Sequence, residues 1–175
     1  MKKNILITLV CAISSFSALH ASNLTMAVGL NDIRSVQAFI RNGTLLDTVN
    51  GLDHTPLMVA VLAGYCPIAQ ILINAGATIN FQNQNGETAL TIAAHVSNLA
   101  TTQALIAAGA DVNLRGIYGQ TALMIAATRN CTPLVETLIR AGADLYIQDD
   151  FGRCPARILM KEDRSRKKDL GKGLV

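Results

Sequence analysis

The sequence predicts an all-α solenoid of stacked helix–turn–helix units, about four copies with a partial one at the C-terminal end. Three observations carry that prediction. Thr55-Pro56-Leu57-Met58, Thr88-Ala89-Leu90-Thr91 and Thr121-Ala122-Leu123-Met124 lie 33 residues apart, and Cys154-Pro155-Ala156-Arg157 is a degraded copy 33 further on. A second ladder, Asn42-Gly43-Thr44, Ala75-Gly76-Ala77, Ala108-Gly109-Ala110 and Ala141-Gly142-Ala143, keeps the same period. Two ladders that stay in register without an insertion mark a tandem array. The third observation is composition: 50% of the 175 residues are hydrophobic but only 4% are aromatic, and there is no Trp. Ala, Leu and Ile must therefore do the burying, which suits closely packed helices or a membrane segment. So apolar a chain is not intrinsically disordered. Four Cys are too few for a disulfide scaffold.

The membrane alternative is confined to the first residues. Lys2-Lys3 precedes an apolar run, Ile5 to Ile13, and then Ser14, Ser15, Ser17 and Ala18. A basic start, a short apolar stretch and small residues before a cleavage point describe a secretory signal peptide over 1–21, of bacterial type, with Ala21 as the best last residue. The apolar stretch is shorter than the roughly 20 residues of a spanning helix. Val10 before Cys11 departs from a lipoprotein signal. A retained anchor or a buried N-terminal helix fits these residues less well. Removal of the leader leaves a chain with no membrane span, in an oxidising compartment. The periplasm is the expected location, with a secreted factor that acts on a host protein as the alternative.

The repeat domain is expected over 22–160, with copies at about 22–50, 51–83, 84–116, 117–149 and a partial copy at 150–160. Back-projection from Thr55 sets Ser22 at the start of the first copy. Thr55, Thr88 and Thr121 are candidate helix N-caps, and Pro56 and Pro155 fall where a first helical residue tolerates a missing N–H. Ala60, Ala93 and Ala126 let one helix approach its neighbours closely. The runs Ile68-Ile71-Leu72, Leu99-Leu105-Ile106 and Leu134-Val135-Leu138-Ile139 have helical spacing. Gly43, Gly76, Gly109 and Gly142 follow those runs, where a left-handed stop is wanted. Asn50-Gly51 and Asn85-Gly86 are turn signals between copies. In the last copy, Pro155 to Met160 reads as a first helix that continues to about Lys168 in a basic cap and tail, 161–175.

These copies resemble the ankyrin repeat. Gly119-Gln120-Thr121-Ala122-Leu123-Met124-Ile125-Ala126-Ala127 is similar to the family's Gly-x-Thr-Pro-Leu-His-x-Ala start, and Gly86-Glu87-Thr88-Ala89-Leu90 matches it in part. Leu105-Ile106-Ala107-Ala108-Gly109-Ala110-Asp111-Val112-Asn113 is similar to the family's Leu-Leu-x-x-Gly-Ala-Asp-x-Asn end. The pattern departs from the family where Met58, Thr91, Met124 and Arg157 replace its His. Ser97 and Asn130 stand where Gly64 keeps the inter-helix Gly, and Asp53 replaces a turn Gly.

Catalytic and metal patterns are missing from the sequence. After the leader, the His residues are His54 and His95, whose spacing matches neither a metal motif nor a triad. No Cys-x-x-Cys, phosphate-binding Gly loop or His-Glu-x-x-His occurs. The expectation is no enzyme, no cofactor and no metal. Cys66 and Cys131 stand two copies apart, roughly 20 Å if adjacent repeats stack about 10 Å apart. That is beyond the roughly 7 Å Cα reach of a disulfide. Cys66, Cys131 and Cys154 are then expected as free thiols, with an intermolecular disulfide or a thiol-redox role as the alternative. The basic tail carries six Lys and Arg against three acidic residues, whereas 22–160 carries seven against nine. A solvated tail is expected, and nucleic acid is disfavoured by Glu162, Asp163, Asp169 and export.

What the resemblance implies is recognition of a protein partner, and the chain is expected to be a monomer. Turn tips and first-helix ends of such arrays form a concave binding face, which carries over here to Leu62, His95, Ile117, Tyr118, Arg129, Phe151 and Arg153. Aromatic and Arg anchors dominate interfaces, which puts weight on Tyr118 and Phe151. The competing reading folds these two rings back onto neighbouring tips.

Overall fold

The computed structural model describes residues 23–160. The expected leader, the basic tail and the continuation of the last helix to Lys168 lie outside the described residues. The chain divides between Thr78 and Ile79 into two compact units.

The first unit holds α1 (Leu24–Gly29), α2 (Ile33–Arg41), α3 (Pro56–Leu62) and α4 (Cys66–Asn74). α1 packs on α2 and α3 on α4, while α1 also packs on α3 and α2 on α4. The second unit repeats that arrangement with α5 (Ala89–His95), α6 (Leu99–Ala107), α7 (Ala122–Thr128) and α8 (Thr132–Arg140). A single 3-10 turn, Ile117–Gly119, precedes α7. Residues 155–160 are helical.

First and second helices differ in how they are buried, and the sequence explains why. Within each unit a first helix is packed on its partner and on the other first helix, so it must be apolar nearly all round. Accordingly Ala89 to Ala94 of α5 and Ala122 to Ala127 of α7 are buried without interruption. Ala60, Ala93 and Ala126 are fully covered. Thr55, Thr88 and Thr121 cap these helices: their hydroxyls accept from the amides of Met58, Thr91 and Met124 at 3.3, 3.1 and 3.4 Å. Second helices bury one face only, such as Ile68, Ala69 and Leu72 of α4.

Three details depart from the sequence reading. The first helix begins at Leu24, one residue later than the 33-residue period projects from α3, and Asn23 caps it by accepting from the Met26 amide at 2.8 Å. Asn is at least as good a cap as Ser, and α1 has 6 residues where α3 has 7. In α6 the buried face is Thr101, Thr102 and Leu105, with Leu99 and Ile106 only half-buried. Burial of Thr102 is tolerable because its hydroxyl donates to the Asn98 carbonyl at 2.9 Å. In α8, Ile139 is exposed, because Leu134, Val135 and Leu138 already fill the stripe that faces the core.

The departures from consensus turn out to be conformational substitutes. Gly64 and its counterparts Asn31, Ser97 and Asn130 all take positive φ (74, 56, 53 and 57°). The chain reverses there between paired helices, and Asn tolerates the left-handed region better than Ser. Asp53 likewise adopts φ 59° in place of the turn Gly.

A side-chain ladder also links consecutive copies within each unit. In the first, the Thr78 amide donates to Asp47 Oδ1 at 2.9 Å. In the second, the Asp111 amide donates to Asn80 Oδ1 at 2.9 Å and the Asp144 amide to Asn113 Oδ1 at 2.8 Å. The next position in this ladder is Tyr146, which offers no such acceptor and is 74% exposed.

Candidate partner-binding site

Four turns separate the copies, and all close in the same way. The amide of the first residue donates to the carbonyl four residues on: Asn50 to His54, Asn83 to Glu87, Gly116 to Gln120 and Asp149 to Arg153. The amide of the fourth residue donates back to the first carbonyl, from Asp53, Gly86, Gly119 and Gly152. Among the described residues there is no strand, so the tips are closed turns and not extended hairpins.

In three of the turns the first side chain completes the closure. Asn50 Oδ1 accepts from the amides of Leu52 and His54, and Asn83 Oδ1 from those of Asn85 and Glu87. Asp149 Oδ1 accepts from Phe151 and Arg153 at 3.0 and 2.8 Å, while its Oδ2 accepts from Arg153 Nε at 2.7 Å. The Asp149 side chain is almost wholly buried. Burial alone would raise its pKa. The bonds from the Arg153 amide and guanidinium, that from the Phe151 amide, and the charge of Arg153 outweigh it and hold the carboxyl below the ordinary Asp value.

The turn at Gly116 has no such side chain. A Cβ there would lie 3.3 Å from Thr91 Cγ2 and 3.4 Å from the Gln120 carbonyl oxygen. The chain instead forms the 3-10 turn with Tyr118 at φ 54°. Bulky residues rarely adopt this conformation, and strain of this kind concentrates at functional positions.

Two links tie this turn to the next. The Asp150 amide donates to the Tyr118 carbonyl at 3.0 Å. Arg115 reaches across its own turn, with Nε donating to the Gly119 carbonyl at 3.3 Å and Nη2 paired with Asp150 Oδ1 at 2.8 Å. Gly119 lies beneath this pair. It has φ 70°, and a Cβ would collide with Arg115 Nη2 and Asp150 Oδ1.

On this frame the Tyr118 and Phe151 rings approach to 6.0 Å between centroids, tilted by 51°. Arg153 lies over the Phe151 ring, 5.0 Å from its centroid. The two rings lean on one another, yet Tyr118 stays 63% and Phe151 66% exposed. The neighbouring-tip contact anticipated from the sequence therefore exists without covering either ring. Ile117 beside them is half-buried.

His95 and Arg129 belong to the same unit, at the end of α5 and just past α7, and both are exposed. Partial desolvation, and then the positive charge of Arg129, hold the His95 pKa below its ordinary value, against an opposing pull from Glu87. Arg129 Nε also donates to Ser97 Oγ at 3.3 Å. Leu62 lies in the first unit, exposed at the end of α3, at the position that His95 occupies in α5.

Sequence reasoning named the exposed residues of the tip cluster but not what holds them. Asp149, Arg115 and Gly119 were missed. A third ladder at the same period, Asn50, Asn83, Gly116 and Asp149, could have found the first, because it recurs with one gap. Arg115 and Asp150 are 35 residues apart and form no repeat signal.

Cys66, Cys131 and Cys154 are half-buried, and no disulfide joins them. Among the described residues, no group of three or more His, Cys, Asp and Glu could hold a metal ion. No helix among them is long and apolar enough to cross a membrane.

The fold and the exposed tips define an all-α repeat protein that presents side chains on turns held by buried helices. Comparison with protein families matches Ankyrin repeats (3 copies) over residues 57–149, just over half of the chain. The chain belongs to the ankyrin-repeat family. Ankyrin repeats are generally protein–protein interaction modules and are typically non-catalytic. No curated protein matches the chain.

Proposed function

We propose that the chain is an exported, non-catalytic binding module that holds one protein partner on the tips of its repeats. The observation that carries this reading is the exposed Tyr118–Phe151 pair, built on a strained Tyr118 backbone and flanked by Arg153. Large aromatic side chains on a fixed frame contribute contact area at little ordering cost. In the second unit Ile117, His95 and Arg129 extend the contact; Leu62, in the first unit, is the equivalent of His95 there. The protein acts as a monomer without a cofactor. Residues 1–21 are a leader removed on export, 22–160 the repeat domain and 161–175 a basic C-terminal cap and tail. The Lys2-Lys3 start and short apolar run support delivery to a bacterial periplasm.

Affinity capture from the native envelope fraction, followed by mass spectrometry, tests this directly. The expected result is a partner retained by the native chain and lost with Tyr118→Ala and Phe151→Ala together, at unchanged helical circular dichroism. Recovery of the protein only in the culture supernatant would end the periplasmic version. A partner retained equally by the double variant would move the site off these tips.

A further inference from the structure

The chemistry of the tip cluster narrows what can occupy it. Arg153 is fixed on three sides: one face over Phe151, its Nε on Asp149 Oδ2, and its backbone amide on Asp149 Oδ1. Its Nη1 and Nη2 hold no hydrogen bond among the described residues, and half of the side chain is exposed. That end of a guanidinium presents two parallel N–H donors, the geometry that grips a carboxylate end-on. The acid that balances it, Asp149, is buried and has both oxygens engaged. Asp150, the exposed acid beside it, has Oδ1 on Arg115. The outward chemistry is therefore an aromatic pair next to a fixed donor fork.

We infer that the tip cluster takes an acidic, apolar peptide segment of its partner, with an apolar side chain on the Tyr118–Phe151 pair and a neighbouring carboxylate on the Arg153 fork. This rests on the reading that the tips are the binding face. A cationic segment would meet Arg153 with like charge. A single-stranded nucleic acid could stack bases on the rings, but it needs a groove of positive charge to track its backbone. Residues 22–160 carry seven basic against nine acidic residues, which supplies no such groove.

Selection of random displayed peptides on the full chain tests the inference. Each binder is retested on Tyr118→Ala/Phe151→Ala, on Arg153→Gln, and with its own Glu or Asp changed to the amide. The last change reads the contact without disturbing the protein, should Arg153→Gln loosen the turn. The expected binders carry an apolar residue next to Glu or Asp and are lost on the double variant. They weaken about tenfold or more when the peptide carboxylate is amidated, as loss of a charge-assisted bond requires. Binders that need both rings but are indifferent to amidation would overturn the acidic peptide and leave the binding face standing. Binders indifferent to the rings would overturn both readings. Short oligothymidine that binds in a ring-dependent way would also overturn the inference, in favour of nucleic acid.

Discussion

The turns at Gly116–Gln120 and Asp149–Arg153 close the same backbone hydrogen bonds by different means. In the later turn a buried carboxylate gathers two amides and a guanidinium. In the earlier one Thr91 crowds the site of the equivalent side chain, and the turn tightens until Tyr118 sits at positive φ. The earlier turn is then braced from outside, by Arg115 over Gly119 and by the Asp150 amide on the Tyr118 carbonyl. One turn is held by its own first residue, and the other borrows support from its neighbour. The result is that Tyr118 and Phe151, 33 residues apart, are set as a pair.

Removing the carboxylate should have the largest effect. Asp149→Ala strips acceptors from two amides and from Arg153 Nε, and should cost about 2–3 kcal/mol in urea unfolding, in line with lost hydrogen bonds to a charged group. Asp149→Asn keeps the amide bonds and gives the turn the chemistry of Asn50 and Asn83, so the cost should fall to about 1 kcal/mol. Next comes the brace. Gly119→Ala forces a side chain into positive φ and displaces the Arg115–Asp150 pair, for a loss of about 1–2 kcal/mol. A double-mutant cycle between Arg115→Gln and Asp150→Asn should lose its coupling in that background.

The comparison also has a pH signature. The Asp149 carboxyl is held below the ordinary value, so its contribution is complete above the usual carboxylate range. It is lost as pH falls through the lowered value of the folded state. Stability profiles of the native chain and Asp149→Asn should therefore differ at neutral pH, begin to converge below about pH 4, where the unfolded carboxylate protonates, and finish converging only once pH has passed the lowered folded value.

The smaller effects separate function from stability. Tyr118→Asn relieves left-handed strain but gives up the ring contact, two effects of about 1 kcal/mol that oppose each other. Unfolding should therefore shift by less than about 1 kcal/mol, while partner capture is lost. At the end of α5, Arg129→Ala removes a charge that holds the His95 pKa down. An NMR titration should show that pKa rise towards, but not reach, its ordinary value, because desolvation remains.

Much of the fold was legible because the repeat states each structural demand several times. Thr55, Thr88 and Thr121 read as caps and are caps, and the small residues Ala60, Ala93 and Ala126 mark covered helix faces. Ser97 and Asn130 looked like losses of the inter-helix Gly, yet they adopt its backbone conformation. Position alone fixed that geometry. The tip cluster was legible only in its exposed members. Asp149 is silent until the turn is closed, since a buried acid and a surface acid look alike in sequence. Gly119 and Arg115 acquire their role from a contact with Asp150 that no period announces.

The central claim is that the Tyr118–Phe151 pair touches a protein partner. Tyr146 supplies an internal control: it is an aromatic residue in the same unit and, at 74%, more exposed than either. A photo-crosslinking amino acid placed singly at 118, 151 and 146 in the native host would compare the three directly. The account predicts one shared protein adduct from 118 and 151 and none from 146. An adduct from 146 with none from 118 or 151 would contradict it.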